Sequence, residues 1–274
     1  MTSGRSSGAA DDPDGDDGGQ GSRRRAREVV HGLREGLGTG SLRLYLQPIV
    51  DAARDVLGYE ALVRWERADR ELVLPEAFVP LAEHTGLIVE IDAWILEEVC
   101  ALLADWARDA RTHDLFIAVN ASGRQFASEG FAEFVRSTVR RYGVRPERLA
   151  FEVTETMAQH DIGLTAETLA ALEADGHEVV LDDFGMGYSS LGQFTQLPVQ
   201  GLKIDRGFVA DAAEGRASAV IAAIVGMAHA IGASATAEGV ENEEQFACLE
   251  RLGVDRYQGF LFGRPEPAAS AARG

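Results

Sequence analysis

From Leu42 onward the chain alternates short apolar runs with longer segments whose apolar residues recur at helical spacing. Strand-like runs cover residues 42–49, 58–65, 115–120, 149–153, 177–182, 199–204, 234–237 and 256–258. Helix-patterned segments follow a lead-in helix over 27–37: Pro75 opens one closed near Gly86, and others cover 91–107, 131–142, 164–174, 218–231 and 243–252. Eight strands alternating mostly with helices predict an α/β fold, a TIM-like (β/α)8 barrel. The turn between the first two runs is too short for a crossover helix, so that pair must be antiparallel.

Barrel chemistry sits at the carboxyl ends of the strands. Read in order, those ends give Gln47, Glu60, Asn120, Glu152, Asp182 with Asp183, Lys203, Glu238 and Gln258. Charges buried at that rate cost too much to serve as packing, so they are expected to bind something. Glu60, Asn120, Glu152 and Asp182 offer only oxygen, which suits Mg²⁺ or Mn²⁺ over zinc. In Asp182-Asp183 one carboxylate can bridge two cations while its neighbour binds the second, and cations about 3.5–4 Å apart activate water in phosphoester hydrolysis. A turn or helix cap is the usual reason for paired aspartates, but Val179-Val180-Leu181 before them and Phe184-Gly185-Met186-Gly187 after them favour a strand end and a Gly-rich loop. In Glu152-Val153-Thr154-Glu155 the first glutamate is expected to face the site and Glu155 to pin the neighbouring loop or cap the next helix. Arg64 is suited either to a bidentate phosphate contact or to a surface ion pair.

Lys203 is the only lysine; the other 25 basic side chains are arginines. A compact ammonium on a slim stem does what a broad guanidinium cannot among crowded carboxylates. The six histidines follow no pattern, which disfavours a histidine-based mechanism.

The net charge is −18, and the five aspartates of the first stretch are balanced by Arg5, Arg23, Arg24, Arg25 and Arg27, so the folded part carries the excess. Such a surface repels nucleic acid polymers and anionic membranes. Met1 to Gly21 is Gly, Ser and Asp with little to bury; a disordered tail over 1–26 and one domain over 27–270 are expected. Cys100 and Cys248 lie in apolar helical segments without disulfide or zinc spacing. The longest apolar stretch, 217–233, is alanine-rich, contains His229 and falls short of a membrane span. A cytoplasmic protein is expected.

These runs carry a resemblance. Glu60-Ala61-Leu62-Val63-Arg64-Trp65 resembles the signature of EAL-domain cyclic di-GMP phosphodiesterases. The likeness continues through Gln47-Pro48-Ile49-Val50, Val119-Asn120-Ala121-Ser122, Glu152-Val153-Thr154-Glu155, Asp182-Asp183-Phe184-Gly185-Met186-Gly187-Tyr188-Ser189-Ser190, Leu202-Lys203-Ile204-Asp205, Ala237-Glu238-Gly239-Val240-Glu241 and Gln258-Gly259-Phe260. The resemblance implies metal-dependent hydrolysis of cyclic di-GMP to linear 5′-pGpG by a homodimer. It implies one Mg²⁺ or Mn²⁺ held by Glu60, Asn120, Glu152 and Asp182, a second by Asp182 with Asp183, and inhibition by Ca²⁺. Lys203 would contact the attacking water and scissile phosphate, with Glu238 beside it. Glu155 would anchor the loop after Asp183, and Gln47, Arg64, Asp205, Glu241 and Gln258 would bind or frame the ligand. Met186 stands where a small residue is common, Leu46 where an aromatic often precedes the glutamine, and Glu66-Arg67-Ala68-Asp69 lacks the usual His-Pro; none removes a metal ligand. A non-catalytic receptor of the same dinucleotide is the alternative, and such receptors typically lose metal ligands. A retaining glycosidase would explain neither Asn120 nor the aspartate pair.

Overall fold

The computed structural model describes residues 17–67, 69, 71–154, 162–184 and 197–271. A helix, Asp17–Thr39, precedes the strands β1 (Leu42–Val50), β2 (Val56–Glu66) and the two-residue β3 (Leu72–Val73). The helices Val79–Thr85 and Ile88–Trp106 lead to β4 (Phe116–Asn120), and Phe131–Tyr142 leads to β5 (Leu149–Thr154). Helix Ile162–Ala174 precedes β6 (Glu178–Phe184); β7 (Gly201–Ile204), helix Gly215–Ala230, β8 (Ser234–Ala237), helix Glu243–Arg251, β9 (Arg256–Gln258) and β10 (Glu266–Pro267) complete the order.

Eight strands close into a barrel in the order β1, β2, β4, β5, β6, β7, β8, β9, with β9 returning to β1. Every contact from β2 through β4 to β9 is parallel, whereas β1 runs antiparallel to both neighbours. The tight turn over Asp51–Asp55 forces this reversal: Asp51 Oδ1 accepts the Asp55 N–H at 2.9 Å, and Arg54 takes φ 68°. The first hairpin also runs beyond the barrel, where Leu42 pairs with Trp65 and β3 lies against the end of β2.

Helix Ile88–Trp106 shows why the outer layer packs. Its buried Ile88, Ile91, Ile95, Val99 and Leu103 recur at three- and four-residue steps and face the barrel. Each such side chain contributes about 1.5–3 kcal/mol by leaving water. Arg148, 3% exposed, ties that helix to the barrel floor by donating to the carbonyls of Leu103, Thr112 and Leu115 at 3.1, 2.9 and 2.9 Å.

The N-terminal helix begins at Asp17, inside the stretch read as tail. Helix propagation is cheap once one end is packed, and Arg23 to Arg25 are good helix formers. Its packed part is fixed by Leu33, fully buried, and by Gly32, where a Cβ would meet Trp65 at 2.7 Å. Among the described residues no helix is long and apolar enough to cross a membrane.

Candidate active site

The strand register builds the site at one end of the barrel. Asn120 and Glu152 are direct neighbours on β4 and β5, and Gln47 faces Glu60 on β1 and β2. Asp182 sits beside Thr154, Lys203 beside Thr236, and Glu238 follows the last residue of β8. Gln47 and Glu60 are not at strand ends as the sequence suggests. Because the hairpin overshoots the barrel, the mouth crosses β1 and β2 in mid-strand.

Successive side chains of a strand point to opposite faces, so adjacent aspartates on a regular β6 would be separated. The β6–β7 register slips between Leu181 and Phe184, and Asp183 adopts φ 54°. Aspartate tolerates this left-handed backbone better than most residues, and the resulting bulge brings both carboxyl groups to the mouth. Oxygens of Asp182, Asp183 and Glu238 then lie within 4.8 Å of one another.

Lys203 stands at the centre, 1% exposed. Its Nζ lies 2.8 Å from Glu152, 2.5 Å from Glu238, 3.6 Å from Glu60 and 3.7 Å from Asp182. Burial opposes the ammonium charge, but these four carboxyl groups outweigh it and hold Lys203 protonated well above the usual lysine range. Burial drives Glu152 well above the usual carboxylate range, with Glu60 and Asp182 pushing the same way against Lys203. Glu238 is raised to about 7, again first by burial and then by Asp182 and Glu60, against Lys203. For Glu60 burial is outweighed by Lys203 and by donors: Gln258 Nε2 at 2.6 Å and Asn120 Nδ2 at 2.8 Å hold it ionised, below its ordinary value. Asp183 is raised by burial, then by Asp182 and Asp205.

Five carboxyl groups thus share the mouth with one ammonium, four of them within 3.7 Å of it. The excess of negative charge in a buried setting is relieved either by protons or by cations. All donors are oxygen, and among the described residues the buried Gln258 Oε1 has no hydrogen-bond partner. Such a set fits a hard divalent ion such as Mg²⁺ or Mn²⁺.

The other expected residues converge on the same groove of about 800 Å³, lined by Gln47, Glu60, Arg64, Asn120, Asp183, Asp205, Glu238, Glu241 and Gln258 among others. Gln47 Nε2 donates to the Gly263 carbonyl at 3.2 Å, and Gln258 Nε2 reaches Gln47 at 3.2 Å. Arg64 lies over the Tyr45 ring at 5.8 Å. Asp205 caps the next short helix by accepting the Gly207 N–H at 2.8 Å, and Glu241 is exposed. Glu155 and the Gly-rich segment 185–190 lie outside the described residues.

Three lining carboxylates, Glu76, Glu83 and Asp92, are not marked by the strand-end pattern, and Asp92 is the buried one. Asp92, on helix Ile88–Trp106, is 7% exposed and accepts the Ser122 N–H at 3.2 Å, two residues beyond Asn120. A signal existed: Asp92 falls four residues after Ile88 and one after Ile91, on the apolar face of its helix. Burial raises its carboxyl from 3.8 to about 7, with the Ser122 hydrogen bonds opposing. A carboxyl raised by folding stabilises the native state only while protonated. Its contribution is complete below about pH 4, the unfolded value, and is lost as pH rises through about 7. Asp92→Asn, which keeps an acceptor for Ser122, is therefore expected to gain stability over wild type progressively between those limits. Parallel denaturation profiles of the two proteins from pH 4 to 8 would refute this.

Fold and mouth together define an α/β barrel with an all-oxygen, cation-seeking site at the rim. The chain belongs to the EAL domain family, whose pattern matches residues 31–265. The bifunctional diguanylate cyclase/cyclic di-GMP phosphodiesterase MucR of Pseudomonas aeruginosa is 43% identical over 243 residues, 88% of this chain and 35% of MucR. The solved PaMucR phosphodiesterase in complex with c-di-GMP is similar at a TM-score of 0.84 and 42% identity, covering 89% of this chain and 99% of that one. The EAL domain of Mycobacterium smegmatis DcpA is similar at a TM-score of 0.71 and 30% identity, over 86% and 96% of the two chains. The chain spans about a third of the length of the curated relatives it matches.

Proposed function

We propose that this chain hydrolyses cyclic di-GMP to linear 5′-pGpG in a metal-dependent reaction, lowering a bacterial second messenger. The observation that carries the reading is the cluster in which Glu60, Glu152, Asp182 and Glu238 surround the buried ammonium of Lys203, with Asn120 on Glu60 and Asp183 beside Asp182 and Glu238. The phosphodiesterase relatives support it.

In this reading Glu60, Asn120, Glu152 and Asp182 hold one Mg²⁺ or Mn²⁺, and Asp182 with Asp183 holds a second. Ions held there would supply water activation and neutralise charge on the phosphate. Lys203 is aimed by Glu152 and Glu238, whose short contacts fix its Nζ at the rim. From that point its N–H groups orient the attacking water and stabilise the phosphate oxygens as charge builds. Glu238 limits the freedom of Lys203 and lies within ligand reach of Asp182 and Asp183. Gln258 and Asn120 orient Glu60. Gln47, Arg64, Asp205, Glu241 and Gln258 bind the ligand, and Glu155 anchors the loop after Asp183. The catalytic unit is residues 27–270, acting in the cytoplasm as a homodimer on a free dinucleotide rather than a nucleic acid polymer.

The test is direct. Purified protein with Mn²⁺ or Mg²⁺ is expected to convert cyclic di-GMP to 5′-pGpG, read by chromatography. Replacement by Ca²⁺ is expected to stop turnover, because its longer, looser coordination misplaces the water. Binding of intact ligand over long incubation with Mn²⁺ would replace the enzyme by the receptor reading.

A further inference from the structure

The groove is lined by eight carboxyl groups but only two arginines, Arg64 and Arg206. Cyclic di-GMP carries two phosphodiesters, each with a negative charge. One is taken by the reacting centre, and the other needs a cation that the centre does not provide. Lys203, held among four carboxyl groups, belongs to that reacting centre and so does not serve the second phosphate.

The two arginines differ in how they are held. Arg64 is half-buried, donates to the Val63 carbonyl at 2.9 Å and lies over Tyr45. Arg206 is exposed and has no hydrogen bond or ion pair to its guanidinium among the described residues, although it stands within electrostatic reach of Asp183. An arginine in so acidic a setting is normally captured by a carboxylate. Its base is nevertheless fixed. Asp205 locks the backbone through the Gly207 N–H. Gly239, at φ 68°, leaves room for the arginine stem: a Cβ there would lie 2.6 Å from Arg206 Cβ.

Topology sets the placement. Arg64 is on β2 and Arg206 follows β7, and the barrel order β2, β4, β5, β6, β7 separates them by four steps of eight. They therefore stand on opposite sides of the mouth, with the acidic centre between them.

We propose that Arg206 is a substrate-binding residue that holds the non-scissile phosphate of the cyclic dinucleotide by a charge-assisted contact. The proposal rests on the phosphodiesterase reading above. Arg206 thereby favours a substrate with two phosphodiesters over one with a single such group.

The experiment compares wild type, Arg206→Ala and Arg206→Lys on cyclic di-GMP and on bis(p-nitrophenyl) phosphate, which has one phosphodiester. Loss of one charged hydrogen bond corresponds to a rise in KM of about tenfold. Arg206→Ala is expected to show that rise for cyclic di-GMP and a much smaller change for the single diester, with Arg206→Lys recovering part of the affinity. Equal losses on both substrates, or an unchanged KM for cyclic di-GMP, would overturn the proposal. If wild type leaves cyclic di-GMP intact, the phosphodiesterase reading fails instead. Calorimetric binding of the intact dinucleotide then decides: about tenfold weaker binding by Arg206→Ala supports the contact, and unchanged binding removes it.

Discussion

Lys203→Arg is expected to turn over cyclic di-GMP at least about a hundredfold more slowly than wild type, the scale seen when one donor to a developing charge is misplaced. The formal charge is unchanged, so the effect isolates shape. Nζ has carboxylate oxygens at 2.8 and 2.5 Å and almost no exposed surface. A guanidinium needs a wider plane and pairs in forks, so it would be captured sideways by Glu152 and Glu238 and would no longer project toward the rim. Initial rates with Mn²⁺, on protein whose circular dichroism matches wild type, decide the matter. Near-normal turnover would make the only lysine of the chain a compositional accident.

Asp182→Ala and Glu60→Ala are expected to abolish turnover, and the accompanying change in thermal stability distinguishes lost cation binding from lost fold. An ion that binds only the native state at 100 times its dissociation constant adds about 2.7 kcal/mol, or about 5–10 °C for a domain of this size. Wild type should show that rise on adding Mn²⁺, and either variant should show little of it. The variants have a second signature in metal-free buffer. Removing a carboxylate from a cluster with one ammonium relieves repulsion, so Asp182→Ala should melt no lower than wild type without metal. A variant that retains the Mn²⁺ shift and the turnover would exclude its residue from the ligand set.

Much of this site can be read from residue order because its chemistry is written at the ends of apolar runs. Asn120, Glu152, Asp182, Lys203 and Glu238 need only the rule that barrel loops converge at the carboxyl ends of strands. The reversed first strand is equally legible, since the Asp51–Asp55 turn leaves no room for a crossover. Three features are not local in sequence. Glu60 and Gln47 occupy mid-strand positions because the hairpin overshoots, and nothing within residues 42–66 records where the other six strands stop. The sharing of one site by Asp182 and Asp183 depends on a register slip against β7, a relation between distant segments. Asp92 reaches the groove from a helix and so lies at no strand end; only its place among Ile88, Ile91 and Ile95 betrays it.

The reversal of β1 has a mechanical consequence. In an all-parallel barrel the polypeptide arrives at the floor, a full strand length from the chemistry. Here it arrives at the rim: helix Asp17–Thr39 runs directly into Leu42, whose partner is Trp65, and Gly32 of that helix rests on the same indole. Trp65 follows Arg64 along β2, and Arg64 lines the groove from the opposite face of the strand. Torque or tension on the leading helix therefore acts on β2 through the Trp65 indole as well as through the core contacts of Leu33, with no need to pass down the barrel to its floor.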